Sequence, residues 1–373
     1  MIRKNLFRLI GGIIVSLMLI QIGLAQPPVE RDITQNTIWY TGGTYVIDPD
    51  PEWVQTPNAI TVYLGAILTI EPGVTVKFNS ETYLIIKEGA LLDVNGTAES
   101  EVLFTANSAP PVQPGFWGCI YFKGLATGNI DYCEIEYAGF DGGYHPDDGV
   151  GAVLSQGIGE DIPTITLTNS EIDTCAGWAL WGYSWDIYQL TMEYCDIHHN
   201  DNGLYLYAIV DEGFAKVWHC NIHDNGTGLL LHGTQGMVVN NFFTNNNIGF
   251  WGQAFVEDYA WMRNNVMTEN DTAIYFVDVS GVDHTVNNIL VDNIVGVEAH
   301  ENVGIVDIDY HCFYGNIDDF GVHARSGIGN VFADPQLAGG AAVDHPRNPH
   351  DLRRAGDRCD FPAGIDILGI GSQ

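Results

Sequence analysis

The sequence predicts an all-β solenoid, a chain wound into stacked coils with one short strand per side. Three observations predict it: a repeat of roughly two dozen residues, alternation of apolar and polar positions inside each repeat, and an asparagine that returns once per coil. The repeat is clearest around Asn200, Asn225, Asn246, Asn270, Asn293 and Asn316, whose successive steps are 25, 21, 24, 23 and 23 residues. An apolar residue stands three before each one (Ile197, Ile222, Phe243, Met267, Leu290, Phe313). A small residue follows, usually three after (Gly203, Gly228, Gly249, Ala273, Gly296), with Gly321 lagging by two.

Each element of that reading has a physical reason. Alternating pairs such as Leu204 and Leu206, Leu229 and Leu231, and Ile274 and Phe276 mark strands, because successive strand side chains point to opposite faces. Coils of roughly 22–25 residues are too short for a strand–helix–strand unit, which takes about 30, but they suffice for three short strands and three turns. A single coil cannot bury its apolar face; a stack can. Equivalent asparagines would then lie ~4.8 Å apart and form an inward ladder that hydrogen-bonds turn backbone. Upstream, 170–175 matches 195–200, and 65–70 matches 89–94 one 24-residue step later, so the repeat runs through most of the chain. Cys195 and Cys220 fall inward on adjacent coils, either as a disulfide or as two buried thiols.

Composition narrows the function classes. The formal charge is −33. Between Asp32 and Pro346 the only fixed cations are Lys77, Lys87, Lys123, Lys216, Arg263 and Arg325. Such a surface repels nucleic acid, anionic lipid and polyanionic glycans unless bound cations intervene. Residues 1–25 read as a secretory signal peptide: Arg3, Lys4 and Arg8 precede an apolar run that ends in small residues at Gly23 and Ala25. Losing those three cations takes the charge from −33 to −36. The expected organisation is a leader at 26–36, the solenoid at 37–335 and a tail at 336–373 that either caps the last coil or is truncated. The expected location is secreted, periplasmic or at the cell surface, with no membrane insertion after signal removal. Seven cysteines, an odd number, leave at least one thiol free.

Gly-Ala-Ile-Leu-Thr-Ile-Glu-Pro-Gly (65–73), Trp117-Gly118-Cys119-Ile120-Tyr121-Phe122 and Gly329-Asn330-Val331-Phe332-Ala333-Asp334-Pro335 resemble segments of the pectin-lyase-like superfamily of the secreted bacterial type. The resemblance covers roughly 37–335 and implies a single-stranded right-handed parallel β-helix. That superfamily hosts lyases, hydrolases, epimerases, adhesins and surface proteins, so fold alone does not choose among them. The polygalacturonase signature is not matched; Leu231-His232-Gly233 is a fragment of it. The arginine-rich motif of pectate lyases has no counterpart. Asn348-Pro349-His350-Asp351 departs from the alginate-epimerase motif at its first residue and lies outside the repeat.

Register predicts the outward side chains. One row reads Leu180, Tyr205, Leu230, Trp251, Tyr275, Glu298, His323, and its neighbour reads Gly182, Tyr207, His232, Gln253, Val277, His300, Arg325. Tyr205, Tyr207, Trp251 and Tyr275, with His232, form an aromatic stripe suited to stacking on sugar rings. Glu298, His300, His323 and Arg325 would form a cluster able to move a proton beside a neutralising cation. A rim row contains His198 and His223, with Asp224, Glu269 and Asp292, where the two stacked histidines could share a metal. The step from Cys133 to Ser170 is 37 residues, so 139–151 is read as an inserted loop. Its Asp141, Asp147 and Asp148 offer the oxygen ligands that calcium takes; no motif requires a cofactor. The leading expectation is an exported protein that binds polysaccharide or a cell-surface glycan. The alternatives are a polysaccharide-modifying lyase, hydrolase or epimerase, and a structural or adhesive surface protein. Oligomeric state is not legible.

Overall fold

The computed structural model describes residues 27–56, 58–141, 150–158, 161–184, 189–208, 214–233, 235–253, 260–278, 285–335 and 337. Successive strands visit three long parallel sheets in turn, giving a right-handed parallel β-helix. Among the described residues the first sheet has 10 strands, from Thr37–Trp39 to Thr285–Val286; the second has 12, from Thr44–Ile47 to Val331–Phe332; the third has 11, from Ala59–Val62 to Asp318–Phe320. At the N-terminal end, Val29 bridges Ile47 and Ile33 bridges Val62, laying the start of the described chain on the first coil. At the other end, Val306–Ile308 and Ala324–Ser326 form a separate two-stranded sheet.

The tube is filled by the alternate, inward-pointing side chains of the strands of the three long sheets, except at the last coil. Phe78, Phe104, Trp117, Phe122, Phe243, Phe250, Phe276 and Phe313 are among its largest fully buried members. Phe78 stacks on Trp117 at 3.9 Å, and the Trp117 indole donates to the Glu136 carbonyl.

Two corners carry polar ladders. At the corner between the second and third sheets, His199, Asp224, Asn245, Glu269 and Asp292 adopt left-handed backbone. The asparagine after each points inward. Asn246 Oδ1 accepts from the Asn225 backbone (3.1 Å) and side chain (3.2 Å), while its Nδ2 donates to the Ile222 carbonyl (2.9 Å) and Asn270 Oδ1 (3.1 Å). The pattern repeats from Asn200 to Asn316, so the buried amides answer backbone groups that the turn leaves unpaired.

The corner between the first and second sheets holds a second ladder. Cys220 N donates to Asn241 Oδ1, Asn241 to Asn265, Asn265 to Asn288, Asn288 to His311 Nδ1, and His311 to Asn330. Burial pushes the His311 imidazole down to about 4, so it is a neutral acceptor here. Cys195 and Cys220 lie in the same row as buried free thiols, as are Cys119, Cys133, Cys175 and Cys312. No disulfide joins Cys195 to Cys220.

The signal peptide, the tail beyond Leu337 with its Asn348–Asp351 segment, and Asp147 and Asp148 lie outside the described residues. Asp141 is described and exposed.

Candidate functional site

The outer face of the third sheet carries the aromatic stripe. Cα pairing runs Trp181, Tyr205, Leu230, Trp251, Tyr275, Glu298 in one row and Tyr183, Tyr207, His232, Gln253, Val277 in the next. The structure corrects the start of both rows. Trp181 and Tyr183 lie there; Leu180 is a core residue beside Leu204, and Gly182 pairs with Leu206. The turn after Cys175 holds one residue more than the turns after Asn200 and Asn225, and Gly177 absorbs it at φ +69°. A Cβ there would approach the Val150 carbonyl oxygen to 2.4 Å, so only glycine fits.

The rings form one array. Trp181 stacks on Tyr205 (5.9 Å) and on Tyr183 (5.3 Å), Tyr183 on Tyr207 (5.0 Å), and Tyr205 lies parallel to Tyr207. His232 meets Tyr207 edge-on at 4.4 Å, and Trp251 meets Tyr275 edge-on at 5.6 Å. Tyr205, Tyr207, His232, Trp251, Tyr275 and Glu298 are half-buried, whereas Trp181 and Tyr183 are buried. Burial lowers the His232 pKa. Burial raises that of Tyr275, with the adjacent Glu298 carboxylate adding to the effect. The Trp251 indole N–H is shielded from solvent and has no hydrogen-bond partner among the described residues. The array is therefore apolar on its faces, with an unspent donor at Trp251 and a carboxylate at its end.

The expected Glu298/His300/His323/Arg325 constellation does not assemble. Gly321, not His323, lies against Glu298; a Cβ on it would meet Glu298 Cβ at 3.2 Å. His300 caps the turn 301–303, with Nδ1 accepting from Asn302 N. His323 takes left-handed backbone and turns the chain into the small sheet. There Arg325 is bound through two nitrogens to Asp307 (2.6 and 2.9 Å). The reason is the end of the repeat: after Val322, whose carbonyl still accepts from Ala299 N, the chain leaves the third sheet, and extrapolated register no longer holds.

The second sheet bears a charged face that sequence reasoning glimpsed only at its histidines. His198 and His223 stand within strands rather than on a turn. One row pairs Glu134, Glu171, Asp196 and Asn221; the adjacent row pairs Glu136, Asp173, His198 and His223. Desolvation by burial, reinforced by Glu171 and neighbouring carboxylates, pushes Glu134 up to about 7, and burial raises Asp173 to about 6. Burial opposes protonation of His198, but its hydrogen bond to Glu171 (2.8 Å) and nearby carboxylates prevail and raise its pKa. Strands of three or four residues are too short for alternation to reveal these acids.

This geometry defines a solenoid whose flat sheets present extended faces, one aromatic and one ionic. The family model described as right-handed beta helix region matches residues 117–255 and 164–311, over half of the chain, and one described as pectate-lyase like beta helix domain matches 45–154. The chain belongs to the right-handed β-helix family. No curated protein matches it. Among solved structures it is similar to a periplasmic alginate epimerase (13% identity, 78% of this chain and 79% of that one, TM-score 0.42). It is also similar to the A-module of a mannuronan C-5 epimerase from Azotobacter vinelandii (12% identity, 81% and 92%, TM-score 0.42). These likenesses are of fold alone. Among the described residues no helix is long and apolar enough to cross a membrane.

Proposed function

We propose that this protein is an exported β-helix that binds polysaccharide along the aromatic face of its third sheet. The observation that carries the reading is the register-aligned array from Tyr205 and Tyr207 through His232 to Trp251 and Tyr275, ending at Glu298. Half-buried rings stack on the apolar faces of sugars. The His232 imidazole and the Glu298 carboxylate supply hydroxyl partners, while Trp251 contributes its ring. The row from Tyr205 to Glu298 crosses four strand spacings, about 19 Å at ~4.8 Å each, which suits a polymer over a small molecule. The acidic surface favours a neutral glycan, or a polyanion bridged by calcium. Catalysis has weaker support, because Arg325, the cation expected beside Glu298, is held by Asp307.

Affinity electrophoresis tests this reading. The chain from residue 26 is run through native gels containing neutral and acidic polysaccharides, with and without calcium, beside Trp251→Ala and Tyr205→Ala. Retardation by at least one polymer, reduced in both variants, is the expected result. A folded wild-type protein retarded by none of them points instead to an adhesive or structural surface role.

A further inference from the structure

We infer that the outer face of the second sheet holds a binding site for one divalent transition cation of the zinc class, with Asp196, His198 and His223 as ligands. The site is separate from the aromatic face and does not depend on the glycan reading.

Register builds it. His198 and His223 are Cα partners on adjacent strands, Asp196–His198 and Asn221–His223, and their rings stack at 4.8 Å with planes 20° apart. Asp196 lies two residues before His198 and therefore on the same face. One ligand atom from each of Asp196, His198 and His223 lies within 4.8 Å of the others. His223 Nε2 is already 3.0 Å from Asp196 Oδ1. Tetrahedral bonds of ~2.0–2.2 Å need ligand atoms about 3.3–3.6 Å apart, so that pair fits with little motion. His198, whose ligand atom lies within 4.8 Å of the other two and whose Nδ1 and Nε2 now contact His199 and Glu171, closes the third vertex by a side-chain rotation.

The surroundings have the form that supports metal ligands. His223 Nδ1 lies 2.6 Å from Asp224 Oδ2, which fixes the ring and directs Nε2 toward Asp196. Asn221 Nδ2 donates to Asp196 Oδ1 (3.1 Å), orienting that carboxylate. Such outer partners fix tautomer and ring orientation in metal sites. The His223 side chain is 4% exposed and that of His198 15%, so the ligand nitrogens are shielded. Glu171, 39% exposed and 2.8 Å from His198 Nε2, lies at the open edge and offers a fourth oxygen. Two imidazoles and a carboxylate select zinc, cobalt, nickel or copper over calcium, which takes oxygen ligands. The neighbouring Glu134, Glu136 and Asp173 are an oxygen-only set and provide the internal contrast.

The test is a cobalt(II) titration of the chelator-stripped chain from residue 26, followed by visible absorption and by calorimetry with zinc. Wild type should bind one ion per chain, with the absorption of nitrogen-ligated cobalt. Asp196→Asn, which keeps shape and the Asn221 neighbour, should weaken binding at least tenfold. His198→Ala should abolish the visible bands, and Glu99→Gln at an exposed turn should leave cobalt binding unchanged. Circular dichroism confirms that each variant folds, and polysaccharide retardation should persist in both site variants. No saturable binding by wild type, unchanged binding in Asp196→Asn and His198→Ala, or displacement of cobalt by equimolar calcium would each overturn the assignment.

Discussion

Replacing Asn246 with alanine removes a side chain that makes four hydrogen bonds in the middle of the asparagine ladder. Two are to other ladder amides: Asn225 Nδ2 keeps the Ile197 and His223 carbonyls, and Asn270 Oδ1 keeps the backbone N–H at position 246. One of the other two leaves a backbone group stranded: the Asn225 N–H loses its acceptor, whereas the Ile222 carbonyl loses the Asn246 donor but keeps its place in the strand ladder opposite Thr244. Asn225, Ile222 and Asn246 are all buried. A buried group left unpaired costs about 1–3 kcal/mol, so the substitution should destabilise the protein by about 2–3 kcal/mol. The assay is urea unfolding followed by circular dichroism. Asn316→Ala, at the half-buried end of the ladder, is the comparison and should cost clearly less. A loss below about 0.5 kcal/mol for Asn246→Ala, the range of ordinary surface substitutions, would refute the view that the ladder answers otherwise unpaired backbone.

Other outcomes follow from the same geometry. Glu134 is pushed from 4.5 to about 7, chiefly by burial and then by Glu171, so the folded state holds its proton more tightly than the unfolded state, and stability falls as pH rises between those values. That displacement corresponds to ~3 kcal/mol at ~1.4 kcal/mol per pH unit; solvent screening of a partly open face reduces it to about 1–2 kcal/mol. Glu134→Gln should therefore be more stable than wild type at pH 8, with the gain vanishing near pH 4.5; equal gains at both pH values would remove the titration argument. Burial raises the Cys119 and Cys175 thiols and holds both in the core. Intact mass should show no alkylation of the six buried cysteines in the native protein and full alkylation in urea without reductant. A pair that stays unmodified in urea would mean a disulfide.

The coil architecture was legible because each structural demand recurs with the same residue type. Asn200 to Asn316 stand at one corner of every coil, and a search for identical residues at a fixed step finds them. The second ladder escaped because its members are mixed: Ser170, Cys195, Cys220, Asn241, Asn265, Asn288 and His311. The signal was a constant offset, since from Cys195 onward each stands five residues before the next ladder asparagine. The aromatic face was readable from Tyr205 to Tyr275, where turn lengths are equal. It slipped by one residue at Trp181, where Gly177 lengthens the turn. The Glu298 cluster failed for a related reason: the asparagine step of 23 residues persists to Asn316, but the chain leaves the third sheet after Val322 and rejoins the second only at Val331. The acids beside His198 and His223 were hidden because a three-residue strand shows only two outward positions.

The most direct test of the central claim is calorimetric titration of an oligosaccharide length series, cut from whichever polymer retards the protein, into wild type and Trp251→Ala. Affinity should rise with length until the chain spans the ~19 Å row of four strand spacings and then level off, with Trp251→Ala losing most of that gain. Length-independent affinity, or the same length dependence in the variant, would contradict binding along the aromatic face.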